Sequence, residues 1–184
     1  MSNQLIAELS EIGRILHHSG IFRARAGNLS ARLPDGTLII TRAATHKGLL
    51  IPADFLHLDL DGTPLEPGQP SSETALHLAA YRVAEVQCVA HAHPIACTTL
   101  AHLNLALDVD LAEEGRPVLG EPLLLDDQPK EARAVAWGNA VVRGTRAALI
   151  RNHGLVVAGR NPRDVLGKME LCEWLAELQL RLRR

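Results

Sequence analysis

The sequence predicts an α/β or α+β fold in which helices cover a largely antiparallel sheet. Three observations carry that prediction. Two short strand patterns near the N-terminus flank Pro34-Asp35-Gly36, a turn signal, and read as a hairpin. Further along, strand and helix patterns alternate. The chain has 184 residues, 47% of them hydrophobic, with no internal repeat, low-complexity run or linker to divide it. One domain over 1–184 is the expected organisation, since roughly 150 residues make a domain. A chain of this length buries about 70% of the surface its unfolded form exposes. It needs no disulfide or structural metal merely to fold.

The elements follow in order. Residues 4–18 place Leu5, Ile6, Leu9, Ile12 and Leu16 on one helical stripe, and Gly20 ends it. Residues 28–32 and 37–41 are the hairpin strands. Residues 55–59 form another short strand, closed by Asp61-Gly62. Residues 64–70 hold three prolines and a glycine and form a loop. A helix opens near Ser71 or Ser72, where either serine suits the N-cap, and runs to about Tyr81. Residues 85–93 read as a buried strand, and Pro94 suits the first turn of a helix ending near Ala101. Residues 102–120 carry no clear pattern. Residues 121–125 form a strand, 131–142 a helix of good propensity, and 147–151 a strand. Asn152-His153-Gly154 is a tight turn, and 155–158 continue as a strand. Asn161 caps the last helix and Pro162 opens it. That helix is expected to place Val165, Met169, Cys172, Leu175, Leu178 and Leu182 along one face.

Composition narrows the function. Nineteen Lys and Arg stand against 21 Asp and Glu, a formal net charge of -2. That balance argues against a nucleic-acid binder with a generally basic surface. The 3% aromatic content leaves few platforms for stacking bases. Cys88, Cys97 and Cys172 form no C-x-x-C pair, which suggests reduced thiols in a cytoplasm. No basic-then-apolar leader opens the chain, and no apolar run approaches the roughly 18 residues of a membrane span. Arg181, Arg183 and Arg184 suit the negative end of a last-helix dipole.

Nine histidines are many for this length, and their placement matters more than their number. His91 and His93 lie at a strand end. Residues two apart share a strand face, about 7 Å from each other. His153 sits at a strand-turn-strand junction. Three imidazoles that leave one position open are the layout of a catalytic zinc site. Ordinary polar residues near strand ends are the alternative. Glu73 has two readings as well: a carboxylate that stabilises a helix dipole, or a group that moves protons. Ser71 and Ser72 are either caps or, with exposed N–H groups, part of an anion site. Gly27-Asn28 marks a turn or a phosphate contact, and His46-Lys47-Gly48 a solvated loop or an anion contact. Glu73 and His77, four apart on a helix, could ligate a metal or simply hydrogen-bond.

Four motifs, in order and in register from about residue 5 to 182, resemble the class II aldolase/adducin family. They are 26–32 (Ala-Gly-Asn-Leu-Ser-Ala-Arg), Pro70-Ser71-Ser72-Glu73 with His77 and Tyr81, His91-Ala92-His93-Pro94, and Arg151-Asn152-His153-Gly154. The resemblance implies a three-layer α/β/α sandwich with a mostly antiparallel sheet, and a homotetramer with active sites at subunit interfaces. It implies one zinc per chain held by His91, His93 and His153. Glu73 is then the catalytic acid/base, and Asn28, Ser71 and Ser72 hold a substrate phosphate.

The chemistry implied is that of a zinc-dependent lyase acting on a small sugar phosphate through a metal-stabilised enediolate. Retro-aldol cleavage, as in L-fuculose-phosphate aldolases, is the first expectation. His91-Ala92-His93-Pro94 and the compact region 103–125 favour it. The alternative is dehydration, as in the methylthioribulose-1-phosphate dehydratases of methionine salvage. Thr45-His46-Lys47-Gly48 and Leu65-Glu66-Pro67-Gly68 are similar to that branch. A non-catalytic adducin-like binding module is the third reading.

Two departures from the family stand out. Ala43-Ala44 replaces a hydroxyl residue followed by glycine, so one phosphate-binding hydroxyl is missing unless Thr41 or Thr45 supplies it. Tyr81, the only tyrosine, falls on a core helix, whereas fuculose-phosphate-type aldolases use tyrosines elsewhere as proton donors.

Overall fold

The computed structural model describes residues 2–183. The expected contribution of Arg184 to the last helix lies outside those residues. Helix α1 (Ser2–His18) leads into the hairpin β1 (Asn28–Arg32) and β2 (Leu38–Thr41), followed by β3 (Phe55–Leu58). Next come α2 (Thr74–Ala80), β4 (Cys88–Ala92) and α3 (Ile95–His102). The remainder is α4 (Gly115–Leu119), β5 (Leu123–Leu125), α5 (Lys130–Val142), β6 (Ala147–Ile150), β7 (Gly154–Gly159) and α6 (Pro162–Leu182). The segment without a pattern folds as a 3-10 turn, Val109–Leu111, and the short α4. Neither is long enough to display a period.

The strands form one seven-stranded sheet in the order β3-β2-β1-β4-β7-β6-β5. Every neighbouring pair is antiparallel except β5 and β6. Alternation along the strands divides the core in two. Leu29, Ala31, Ile39, Ala90, Leu149 and Val157 face α1, α3 and α6, where Leu9, Leu16, Leu100, Met169 and Cys172 pack against them. Leu38, Ile40, Leu56, Val89, Ile150 and Val156 face α2 and α5, against Leu76, Trp137 and Val141. Helices on both faces make the expected three layers. Covered on both sides, β4 and β7 are buried at every position. Such strands are continuous apolar runs, which makes the polar His91 conspicuous.

Three differences from expectation bear on the site and the packing. Helix α2 opens at Thr74, not at Ser71 or Ser72. Both serines lie in a preceding turn, where Ser71 Oγ accepts from the Glu73 N–H (3.3 Å) and Thr74 Oγ1 donates to Ser71 O (2.6 Å). Strand β4 is shorter than 85–93, because Val86 closes a turn onto Val83 O before pairing begins. In α6 the buried line runs through Val165, Met169, Cys172, Leu175, Ala176 and Gln179, while Leu182 is 70% exposed. The last apolar residue of the helix therefore lies mostly in solvent, outside the buried line. Its start is as expected, with Asn161 Oδ1 accepting from the Asp164 N–H (2.8 Å).

Candidate metal centre and substrate pocket

The sheet brings the three histidines together. His91 is the next-to-last residue of β4 and opposes Val156 of β7, and His93 follows just beyond the strand. The β6–β7 pairing sets Ile150 opposite Gly154, so the turn carrying His153 returns beside the end of β4. Asn152 holds that turn at φ 57°, a left-handed conformation asparagine tolerates. Gly154 allows the close approach: a Cβ there would lie 2.3 Å from Ala92 O and 2.6 Å from the His93 ring. Gly27 does the same on the other flank, where a Cβ would meet His91 O at 2.7 Å.

The Nε2 atoms of His93 and His153 each lie 3.0 Å from His91 Nε2. One ligating atom from each of the three rings falls within 4.8 Å of the others. His91 Nδ1 donates to Leu155 O (2.9 Å), so a neutral His91 ring carries its lone pair on Nε2. Burial lowers the pKa of all three rings, and for His91 the neighbouring imidazoles add to the effect. Neutral imidazoles are what a metal requires, and nitrogens about 3 Å apart suit ligands each about 2 Å from one small cation. The donor set fits a borderline divalent ion such as zinc better than magnesium or calcium.

Beside the imidazoles lies a cavity of about 210 Å³. The residues to which the family resemblance assigns roles all line it: Asn28, Ser71, Ser72, Glu73 and the three histidines. Glu73 is 4% exposed. Its Oε1 pairs with Lys130 Nζ at 2.8 Å, and the same ammonium donates to Ser72 O at 3.0 Å. Its Oε2 is buried with no hydrogen-bond partner among the described residues. Lys130 had no signal in the sequence, since it opens a helix 57 positions downstream of Glu73.

The cavity is also lined by Arg25, Arg42 and Lys47. Two of these cations are engaged. Arg42 donates to Ala53 O and Pro67 O, and Lys47 donates to Thr45 O (2.7 Å) and Arg25 O (3.3 Å). Burial lowers the Lys47 pKa to about 8. Arg25 is exposed and has no ion-pair partner among the described residues.

Neither threonine replaces the hydroxyl missing at Ala43. Thr41 is fully buried and its Oγ1 accepts from the Leu29 N–H, while Thr45 Oγ1 donates to Arg42 O. Neither lines the cavity. His46 packs on His17 instead of facing it, with ring centroids 4.8 Å apart. His77 is turned away from Glu73 and the imidazoles: its ring bonds Asn28 and Ser30. Among the described residues the one group of three or more side chains placed so that it could hold a metal is His91, His93 and His153.

Fold and site together define a class. The profile described as "Class II Aldolase and Adducin N-terminal domain" matches residues 7–180, and the chain belongs to that family. Among its relatives is the methylthioribulose-1-phosphate dehydratase of Methylococcus capsulatus, 34% identical over 96% of this chain and 93% of the relative. The enzyme of the same name from Granulibacter bethesdensis is 35% identical over 94% and 89%. Among solved structures, the L-fuculose-1-phosphate aldolase of Thermus thermophilus superposes with a TM-score of 0.85 at 30% identity, over 97% of this chain and 94% of that one.

Proposed function

We propose that this chain is a metal-dependent lyase that removes water from a small phosphorylated sugar. His91, His93 and His153 would hold one zinc, Glu73 would act as the catalytic acid/base, and Asn28, Ser71 and Ser72 would hold the phosphate. The observation that supports this most is the meeting of three neutral imidazole nitrogens and an unpartnered carboxylate oxygen in one cavity. A bound zinc supplies Lewis-acid polarisation of a carbonyl and stabilises the negative charge that develops beside it.

The residues of the chain do the rest. Lys130 holds Glu73 Oε1 and leaves Oε2 to take a proton from carbon and deliver it to the departing hydroxyl. Arg25 supplies positive charge where Ala43 brings no hydroxyl.

Two observations favour dehydration over retro-aldol cleavage, reversing the order read from the sequence. The relatives described above at 34–35% identity are dehydratases. Tyr81, the only tyrosine, is buried with its hydroxyl 2.6 Å from Ser30 Oγ, and so gives no proton donor of the fuculose-aldolase kind. Cleavage remains the second reading because of the likeness to L-fuculose-1-phosphate aldolase.

The test is direct. Zinc-loaded protein is offered methylthioribulose-1-phosphate and L-fuculose-1-phosphate. Loss of water without cleavage is the expected result. An aldehyde plus a ketone phosphate would establish the second reading. Metal binding without turnover or proton exchange on either would leave the adducin-like binding module. Metal content serves as the first check: about one zinc per chain is expected by mass spectrometry, lost in His91→Ala and His153→Ala. Unchanged zinc in either variant removes that residue from the ligand set.

We further read 1–184 as one domain, working in the cytoplasm as a homotetramer. The three buried free thiols support a reducing compartment. Among the described residues no helix is long and apolar enough to cross a membrane. Exposed Leu49, Ile51 and Trp174 support association, which light scattering would measure.

A further inference from the structure

Behind the cavity wall, three side chains that the proposed reaction does not touch join Asn28 in one buried chain. Asn28 and Ser30 are two apart on β1, and His77 and Tyr81 are four apart along α2, so each pair shares a face. Packing of α2 on β1 interleaves them. Tyr81 Oη lies 2.6 Å from Ser30 Oγ, Ser30 Oγ lies 2.6 Å from His77 Nδ1, and His77 Nε2 lies 2.5 Å from Asn28 Oδ1. All four residues are buried.

The protons of this chain can be placed by elimination. Burial lowers the His77 pKa to about 3, so the ring is neutral and carries one N–H. The amide oxygen of Asn28 only accepts, which puts that hydrogen on Nε2. Nδ1 then holds a lone pair and accepts from the Ser30 O–H. With its one proton committed, Ser30 accepts from the Tyr81 O–H. The opposite polarity runs from a flipped Asn28 amide through Nδ1–H and Ser30 to Tyr81. It would leave the Tyr81 proton buried without an acceptor among the described residues, and an unpaired buried donor is destabilising.

We propose that Tyr81, Ser30 and His77 form a positioning relay that locks the Asn28 amide with its NH₂ toward the cavity, committing that subsite to an oxyanion such as a phosphoryl group. The inference rests on the reading of Asn28 as a phosphate contact. A free amide presents either end, donor or acceptor, at little cost. A locked one offers only donors, which phosphoryl oxygens accept from. Selectivity for an anion at this point therefore originates in the core and not at the surface.

Two measurements test it on the zinc-loaded protein. The first needs no variant: long-range ¹H–¹⁵N spectra report the His77 tautomer. A neutral ring protonated on Nε2 from pH 8 to pH 5 is expected. A ring protonated on Nδ1, or one that titrates near 6.5, overturns the relay. The second is affinity for inorganic phosphate by calorimetry, with folding checked by circular dichroism and zinc by mass spectrometry. His77→Leu should bind phosphate about tenfold more weakly, the loss expected for a weakened bond to a charged group. His77→Gln should stay within about threefold of wild type, since its amide can donate to Asn28 Oδ1 and accept from Ser30. Asn28→Ala separates the two levels. If it loses phosphate while His77→Leu keeps wild-type affinity, the relay fails and the phosphate subsite stands. If Asn28→Ala binds phosphate as wild type does, the subsite reading itself fails and the relay has nothing to position.

Discussion

Ala44 is the residue where the cavity wall carries the plainest local cost. Its φ is 60°, in the left-handed region that disfavours any residue with a Cβ by roughly 1–2 kcal/mol. The family resemblance expects glycine here. Ala44→Gly should therefore raise stability by about 0.5–1 kcal/mol after the extra entropy of glycine in the unfolded chain is counted. In a thermal unfolding scan this is a gain of about 1–4 °C, and an unchanged or lower midpoint would contradict it. Glu73 makes a second prediction at this scale. Its Oε1 pairs with Lys130 while Oε2 has no partner among the described residues, so the proposed proton transfer uses one oxygen and the ion pair the other. Glu73→Gln should keep zinc and lose turnover by 10²-fold or more, in keeping with the contribution of a positioned acid or base. Retention of full activity would end the proton-shuttle role.

At the scale of elements, the β6–β7 hairpin matters most, because it alone returns His153 to the end of β4. Its working dimension is the clearance at Gly154. In Gly154→Ala the new methyl would collide with Ala92 O, a backbone atom that cannot swing aside, and with the His93 ring. The variant should retain less than half the zinc of wild type after dialysis, and full retention would show that the strands separate without disturbing the rings. The hairpin was legible as strand, turn, strand because Asn152-His153-Gly154 interrupts two apolar runs. The start of α2 was not. Ser71 and Ser72 look like caps, yet the helix waits until Thr74. Pro70 is held in a bridge to Arg42, and the turn that follows brings both serines to the cavity. Cap preference is a local effect of about 1 kcal/mol, and tertiary contacts override it. Likewise Leu182 continues the periodicity of α6 outside the buried line.

For the whole molecule, the buried histidines make stability depend on pH in a calculable direction. In the unfolded chain they titrate near 6.5, whereas burial lowers His77 to about 3 and lowers His91, His93 and His153 as well. Below pH 6.5 the unfolded state thus binds more protons than the native state, and stability falls as pH falls toward the folded values. His77 alone should cost about 2 kcal/mol between pH 7.5 and pH 5.0. Urea unfolding midpoints at the two pH values measure it, and equal midpoints would contradict the burial of a neutral ring. Hydrophobic periodicity, turn residues and proline placement determined the α/β character, the hairpin and the order of elements, because these are local signals of backbone geometry. The H-x-H pattern and the lone His before Gly154 likewise announced three ring donors. Only the tertiary structure decided that Lys130 meets Glu73, that Thr41 and Thr45 are committed elsewhere, and that His77 serves Asn28 and not a metal. Those pairings join residues 49 to 57 positions apart, set the Thr41 hydroxyl against a backbone N–H across the hairpin, or turn the Thr45 hydroxyl back onto Arg42 O. They exist because the packing of α2 and α5 on the sheet selects one partner for each polar group, and no local pattern records that choice.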